Sequence, residues 1–76
     1  MMRRISINAN EQRTYNDKVL KIIPKLAVGT HVYFRDFFIG EPTSSRIGRK
    51  LFEDVIDRKV CLKLLGSYAR EGYIVI

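Results

Sequence analysis

The stretch from Gly40 to Lys59, GEPTSSRIGRKLFEDVIDRK, decides the fold because it combines a helix start with a long amphipathic pattern. Turn and capping residues come first. Apolar side chains then recur at the spacing of one helix face, at Ile47, Leu51, Phe52, Val55 and Ile56. We therefore predict a helix over residues 45 to 58, entered through a turn at residues 40 to 43.

The charges of this predicted helix run against the helix dipole. Arg46, Arg49 and Lys50 come first, and acids follow at positions 53, 54 and 57. A dipole favours acids in the first turn, so each early cation costs an isolated helix roughly a few tenths of a kcal/mol. We expect both groups on the solvent face, with the cations contacting the phosphates and base edges of DNA and the acids pointing away from it.

Residues before this stretch predict one more helix and a strand. Asn8 or Asn10 caps the helix, and Asn8 with Glu11 has the spacing of a capping box. Pro24 disfavours a helical conformation at the residue before it, which ends the helix near residues 21 to 23. The β-branched and aromatic run at 31–34 predicts a short strand.

Three further elements complete the predicted order. A short helix at 35–39 precedes the long helix, and strands at 60–64 and 73–76 flank a glycine-bounded loop at 66–72. This order predicts an α+β fold of the winged helix-turn-helix type, in which three helices pack on a small antiparallel sheet with a C-terminal β-hairpin as the wing. We expect a single domain over residues 1–76, with 1–8 as a basic N-terminal arm or short strand.

The composition indicates which classes of partner and site to expect. The chain has 76 residues and a net charge of +6, which points first to nucleic acid and second to an acidic protein or an anionic membrane. The single cysteine excludes an intramolecular disulfide and a cysteine-based zinc site. With no signal peptide and no apolar run near 18 residues, we expect a cytoplasmic protein that does not contact membranes.

The predicted contacts with double-stranded DNA form three groups. The start of the long helix, the loop and the N-terminal arm contribute, in that order, Thr43, Ser44, Ser45, Arg46, Arg49 and Lys50; Ser67, Tyr68 and Arg70; and Arg3 and Arg4. The alternative for the helix start is a solvated face with a Ser/Thr cap, in which Arg46 and Lys50 pair with acids later in the helix; Lys50 and Asp54, for example, are four residues apart.

Enzyme activity is not expected. His31 is the sole histidine and has no partner at a catalytic or metal-binding spacing. Cys61, on a predicted strand, is interpreted as a small buried or half-buried apolar residue. We predict no metal and no cofactor.

One segment resembles a known family. Gly29-Thr30-x-x-x-Phe34-x-Asp36-Phe37-Phe38, followed by Arg46-x-Gly48-Arg49-x-x-Phe52, is similar to the core of a family of short bacterial proteins with a domain of unknown function. The family occurs in Gram-positive bacteria, their plasmids and their phages. The resemblance covers residues 29 to 52 and departs from the family pattern in the position of Pro24. It implies a winged-helix architecture and a bacterial or mobile-element setting.

Together these features favour a dimeric DNA-binding regulator of transcription, replication or plasmid maintenance. A ribbon-helix-helix repressor is an alternative, in which residues 3 to 8 form a dimeric ribbon in the groove. The other alternative is a protein-interaction module on a winged-helix scaffold that meets an acidic protein. The closing strand, residues 73 to 76, would then offer an edge for β-addition.

Overall fold

The computed structural model describes residues 6–40 and 45–76, the side chain of Ala69 excepted. These residues form a small α+β fold with two α-helices and a three-stranded antiparallel sheet. In chain order the elements are α1 (Ala9–Tyr15), β1 (His31–Val32), α2 (Ser45–Ile56), β2 (Leu62–Leu64) and β3 (Tyr73–Val75). Where a third helix was predicted, the chain forms a 3-10 helix, Phe34–Phe38.

The first helix begins at the predicted capping box. The Asn8 side chain accepts from the Glu11 N–H at 2.8 Å, and the Glu11 carboxylate accepts from the Asn8 N–H at 2.9 Å. After α1 the chain continues as a π-helical turn, Asn16–Leu20, and then as a 3-10 helix, Ile23–Lys25. The α-helix therefore ends at Tyr15, earlier than the predicted end near residues 21 to 23, and both Ile23 and Pro24 lie in a 3-10 helix.

The connection to α2 is short and partly buried. In the 3-10 helix Phe34–Phe38 the Asp36 carboxylate accepts from the Tyr33 N–H at 2.8 Å, which satisfies a free donor at the helix start. The last two residues of this helix are buried in the core. Gly40 then adopts a φ of +78°, a conformation that glycine takes without strain.

The sheet has the order β1-β3-β2, with both pairs antiparallel. Val32 pairs with Tyr73, and Leu62 pairs with Val75. The closing strand is therefore central, and the prediction that it offers an edge for β-addition is wrong. The free edges of this sheet belong to β1 and β2.

One apolar core joins both helices to the sheet. Its α2 contribution is Ile47, Leu51 and Val55, three of the predicted stripe residues, while Ile56 is 48% exposed. The other buried members come from α1 and the turns after it, the 3-10 helix before α2 and all three strands: Tyr15, Val19, Ile23, Val32, Phe37, Phe38, Leu62, Tyr73 and Val75.

Part of the N-terminal prediction cannot be placed. Residues 3 to 5 lie outside the described residues, and Ser6 and Ile7 form neither helix nor strand. The ribbon-helix-helix alternative depends on this segment and stays a prediction. In the described ranges no helix has the length and apolar character needed to cross a membrane.

Candidate nucleic-acid interface

The start of α2 contains four of the eleven predicted DNA contacts, Ser45, Arg46, Arg49 and Lys50. Ser45 is the first residue of this helix that the structure describes, and its side chain is exposed. Residues 41–44 lie outside the described residues, and with them the predicted contacts Thr43 and Ser44. The same holds for Arg3 and Arg4 in the predicted arm.

Arg46 faces α1. Its Nε lies 3.2 and 3.3 Å from the two carboxylate oxygens of Glu11, and its guanidinium also donates to the carbonyl oxygen of Ser6. Glu11 is the residue that closes the capping box of α1, so Arg46 links the start of α2 to the start of α1. The Arg46 side chain is still 54% exposed.

The acids of α2 do not lie on the solvent face. Glu53 and Asp54 are 4% and 6% exposed, so the prediction that they point away into solvent is wrong. Arg49 Nε lies 3.3 Å from the Glu53 carboxylate, and Lys50 Nζ lies 3.2 Å from that of Asp54. Both are i,i+4 pairs, and each gives a buried carboxylate a cation at the helix surface.

Tyr15 completes the environment of Asp54. Its buried hydroxyl donates to the second carboxylate oxygen of Asp54 at 2.6 Å, which joins α1 to α2. Burial is the main cause that raises the pKa of the Tyr15 hydroxyl far above its ordinary value, and the hydrogen bond to Asp54 raises it further. The hydroxyl therefore remains protonated and acts as the donor.

The exposed side of α2 meets the loop between β2 and β3. A shallow depression of about 350 Å³ lies between them, lined by Ser45, Gly48, Arg49, Phe52, Ser67 and Tyr68. Four of these residues were predicted as DNA contacts from two separate segments of sequence. The fold places them on one continuous surface, the helix–loop surface.

Arg70 extends this surface along the loop. Its guanidinium carbon lies 5.1 Å from the centre of the Tyr68 ring, a cation–π distance. Tyr68 is 59% exposed, and Arg70 is exposed as well. Tyr68 and Arg70, two of the three predicted loop contacts, are therefore accessible to a ligand. The contact between their side chains helps to define the conformation of both.

Gly48 explains how α2 reaches this position. A Cβ atom there would lie 3.2 and 3.3 Å from two carbons of the Phe34 ring, closer than ordinary van der Waals contact. The glycine lets the 3-10 helix Phe34–Phe38 pack directly against α2. Packing against Phe34 thus explains why a glycine, which costs a helix about 1 kcal/mol relative to alanine, occupies this position.

Sequence reasoning missed one feature of the site and gave a second, the Lys50–Asp54 pair, only as the alternative to DNA contact. Phe52 was assigned to the core but is half-buried and lines the depression. Lys50 was predicted to contact DNA, yet it is only 25% exposed and pairs with Asp54. The spacing from Lys50 to Asp54 does signal that pair, whereas no local signal indicates Tyr15, which lies 39 residues away in sequence.

Two remaining residues have no metal-binding environment. His31 Nε2 lies 3.3 Å from the Glu71 carbonyl oxygen, and Cys61 is exposed, contrary to the expectation that it is at least half-buried. Within residues 6–40 and 45–76 no three His, Cys, Asp or Glu side chains are grouped so as to hold a metal ion. Comparison of the chain with protein-family models, curated proteins and solved structures found no match.

Proposed function

We propose that the protein binds double-stranded DNA through the helix–loop surface, as a regulator built on a winged helix-turn-helix plan. Support for the plan comes from the element order, a helix, a strand, a 3-10 helix, a helix and a two-stranded hairpin. The sheet order, in which the hairpin strand β3 pairs with β1, adds to it because the hairpin then lies beside the helical layer.

The observation that carries the proposal is the meeting of Ser45 and Arg49 with Ser67 and Tyr68 around one depression. A helix start in the major groove and a loop on the adjacent backbone need to be presented on the same side of the molecule. Serine hydroxyls suit phosphate oxygens, and an arginine fork suits phosphate or guanine. The chain's net charge of +6 favours approach to a polyanion.

Within this proposal the seven predicted contacts that lie in the described residues have different roles. Ser45, Arg49, Ser67, Tyr68 and Arg70 are the DNA contacts supported by their shared surface. Arg46 and Lys50 hold carboxylates of the protein and do not line the depression, so they act mainly inside the fold, whereas Arg49 lines the depression as well as holding Glu53. The exposed part of the Arg46 guanidinium adds to the positive electrostatic potential that attracts DNA, but we assign it no direct contact with DNA.

Fluorescence anisotropy with short labelled duplexes tests the proposal. Binding should weaken strongly between about 50 and about 200 mM salt, because cations of the protein replace counterions of the DNA. Arg70→Ala should reduce affinity several-fold and lower the salt slope by about 1. Lys25→Ala, which removes an exposed cation outside the helix–loop surface, is the matched control and should leave both unchanged.

Arg49→Lys separates base recognition from phosphate contact. Lysine keeps a cation beside Glu53 but loses the planar fork, so the fold is preserved while bidentate recognition is lost. We expect weaker discrimination between DNA sequences, by roughly 1–3 kcal/mol, with non-specific binding retained. Absence of any binding at low salt, or equal losses in Arg70→Ala and Lys25→Ala, would refute the proposed function.

A further inference from the structure

An apolar groove lies at the other end of α2 from the helix–loop surface. Its volume is about 800 Å³, and it runs between the last turn of α2, the connection to β2, β2 itself and Ile76. The apolar side chains that line it are Val55, Ile56, Val60, Leu62, Leu64 and Ile76. Ile76 is 59% exposed and Ile56 48% exposed, so the groove offers apolar surface to a partner.

The strand β2 that borders the groove is an edge strand. Ile76 N–H donates to the Cys61 carbonyl at 3.1 Å, and Leu65 N–H donates to the Gly72 carbonyl at 3.3 Å. In an antiparallel ladder the bonded positions alternate, so the backbone groups of Leu62 and Leu64 point away from β3. The N–H and C=O groups of these two residues are available to an added strand.

The charged side chains that line the groove are all cationic. They are Arg58 and Lys63, and among the described lining residues there is no acidic side chain. Within residues 6–40 and 45–76 neither cation takes part in an ion pair, unlike Arg46, Arg49 and Lys50. A partner with carboxylates beside apolar side chains therefore complements the groove in both charge and polarity.

A second copy of the chain fits this edge poorly. β2 has three residues, and Lys63 is the central one. If two β2 strands paired about a twofold axis, the two Lys63 side chains would approach each other. Like charges opposite each other destabilise strand pairs, and edge lysines are a recognised device against such pairing.

We propose that β2 and the apolar groove bind an acidic, apolar segment of another protein as an added strand. Alternate apolar side chains of the segment enter the groove, its backbone pairs with Leu62 and Leu64, and its carboxylates meet Arg58 and Lys63. The proposal is independent of DNA binding, because the groove and the helix–loop surface share no lining residue.

The probe is a synthetic fluorescent peptide in which valine or isoleucine alternates with glutamate. We expect saturable binding to the full chain, at least tenfold tighter than for a peptide with lysine in place of glutamate or for oligoglutamate. Lys63→Glu should weaken binding at least tenfold. Lys25→Glu changes the net charge equally at an exposed position outside the groove and should weaken binding less than twofold.

Amide chemical shifts of the ¹⁵N-labelled protein locate the peptide. Shift changes that concentrate at residues 58 to 65 when the peptide is added support the proposal. It is also supported if the spectrum of Lys63→Glu is unchanged at residues away from position 63. Shifts centred on the helix–loop surface, equal affinity for oligoglutamate, or equal losses in Lys63→Glu and Lys25→Glu would overturn it. Concentration-dependent dimerisation through β2 would also overturn it, in favour of a second copy as the occupant.

The two proposed sites are told apart by crossing the variants. Arg70→Ala should weaken binding to DNA and leave binding to the acidic peptide unchanged, while Lys63→Glu should weaken peptide binding at least tenfold and leave the sequence preference for DNA unchanged. Loss of both activities in either variant contradicts the assignment of two separate surfaces.

Discussion

Tyr15, Asp54 and Lys50 form a continuous polar contact from the core to the surface. The tyrosine hydroxyl and the lysine ammonium contact different oxygens of the same carboxylate, at 2.6 and 3.2 Å. If one of these two partners is removed, the buried carboxylate loses an interaction that water does not replace, because water is excluded from that position. The hydroxyl therefore matters more to stability than its size suggests.

Tyr15→Phe should lower the free energy of unfolding by about 1–3 kcal/mol, since it removes the donor and leaves the Asp54 oxygen buried. Urea unfolding followed by circular dichroism measures the change. Tyr68→Phe is the control, because its ring is mostly exposed and it should alter stability by less than about 0.5 kcal/mol. Equal stability of Tyr15→Phe and the unaltered protein would contradict the importance of this bond.

Stability should fall in alkali. Burial raises the pKa of Tyr73 to about 12, and that of Tyr15 is raised further, whereas an unfolded tyrosine titrates near pH 10. The folded state thus keeps protons that the unfolded state releases. Below pH 10 both hydroxyls make their full contribution to the free energy of unfolding. As the pH rises above 10, each contribution falls by up to about 1.4 kcal/mol per pH unit.

Urea titrations from pH 8 to pH 11 measure this slope. In Tyr73→Phe the decline should be shallower by up to about 1.4 kcal/mol per pH unit, because one of the two shifted groups is absent. Tyrosine absorbance should show Tyr15 titrating only with unfolding. An unchanged slope in Tyr73→Phe would contradict the raised pKa.

The burial of Asp54 follows from the periodicity of α2, although the sequence analysis assigned the residue to solvent. Counted from Ile47, the positions 51, 54 and 55 are i+4, i+7 and i+8, the usual core-facing set. A carboxylate at i+7 was expected outside because charged residues are seldom buried without a partner. That partner is Tyr15, and only the tertiary fold brings the two together.

At the scale of elements, the end of α2 contains a strained residue. Arg58 has a φ of +62°, and the N–H groups of Arg58 and Lys59 donate to the carbonyls of Val55 and Asp54 at 3.1 and 2.8 Å. This is the Schellman arrangement, in which the residue after the helix adopts the left-handed conformation. Glycine usually occupies the position, because side chains disfavour that conformation by roughly 1–2 kcal/mol.

Arg58→Gly should therefore stabilise the protein by about 0.5–1 kcal/mol, the released strain being partly offset by the greater chain entropy of glycine when unfolded. Thermal and urea unfolding measure the gain. Arg58→Ala also removes the charge but keeps Cβ, so it should give no such gain. If the two variants were equally stabilised, charge rather than backbone strain would be the cause.

The elements themselves were largely predictable from local signals. The capping box at Asn8 and Glu11, the helix from Ser45 and the strands on either side of the loop occupy the expected positions to within a few residues. The π-helical turn Asn16–Leu20 carries no pattern in the sequence that distinguishes it from α-helix. Its hydrogen bonds differ by one residue from those of an α-helix, and apolar spacing is not sensitive to that difference.

At the scale of the whole molecule, strand order is what local patterns do not determine. Residues 31–32 and 73–75 are far apart in sequence, yet they pair, which makes β3 central and exposes β2. The same long-range arrangement brings Ser67 and Tyr68 to Ser45 and Arg49. Sequence reasoning named the members of the candidate site, and tertiary packing decided which of them share a surface.

Because β2 is an exposed edge strand, we expect one of its residues to prevent self-association of the protein. Lys63 is an exposed charge in the middle of the edge strand, and replacing it by valine gives that edge a run of apolar side chains. Lys63→Val should therefore self-associate at concentrations where the unaltered chain does not. Sedimentation velocity over a concentration series detects the change.

Lys25→Val is the control for Lys63→Val. It adds the same exposed side chain and removes the same charge in the 3-10 helix Ile23–Lys25, away from any strand edge. Self-association of both variants to the same extent would attribute the effect to general hydrophobicity and not to strand pairing.

The pairing of Arg49 with the buried Glu53 has a consequence for how this surface can evolve. Position 49 serves an external ligand in the proposed function and an internal acid at the same time. A change there to an uncharged residue removes the Arg49–Glu53 ion pair beside a buried carboxylate, which lowers the stability of the fold. Positions 49 and 53 should therefore co-vary among related proteins, and a library that seeks new DNA specificity needs to randomise them together.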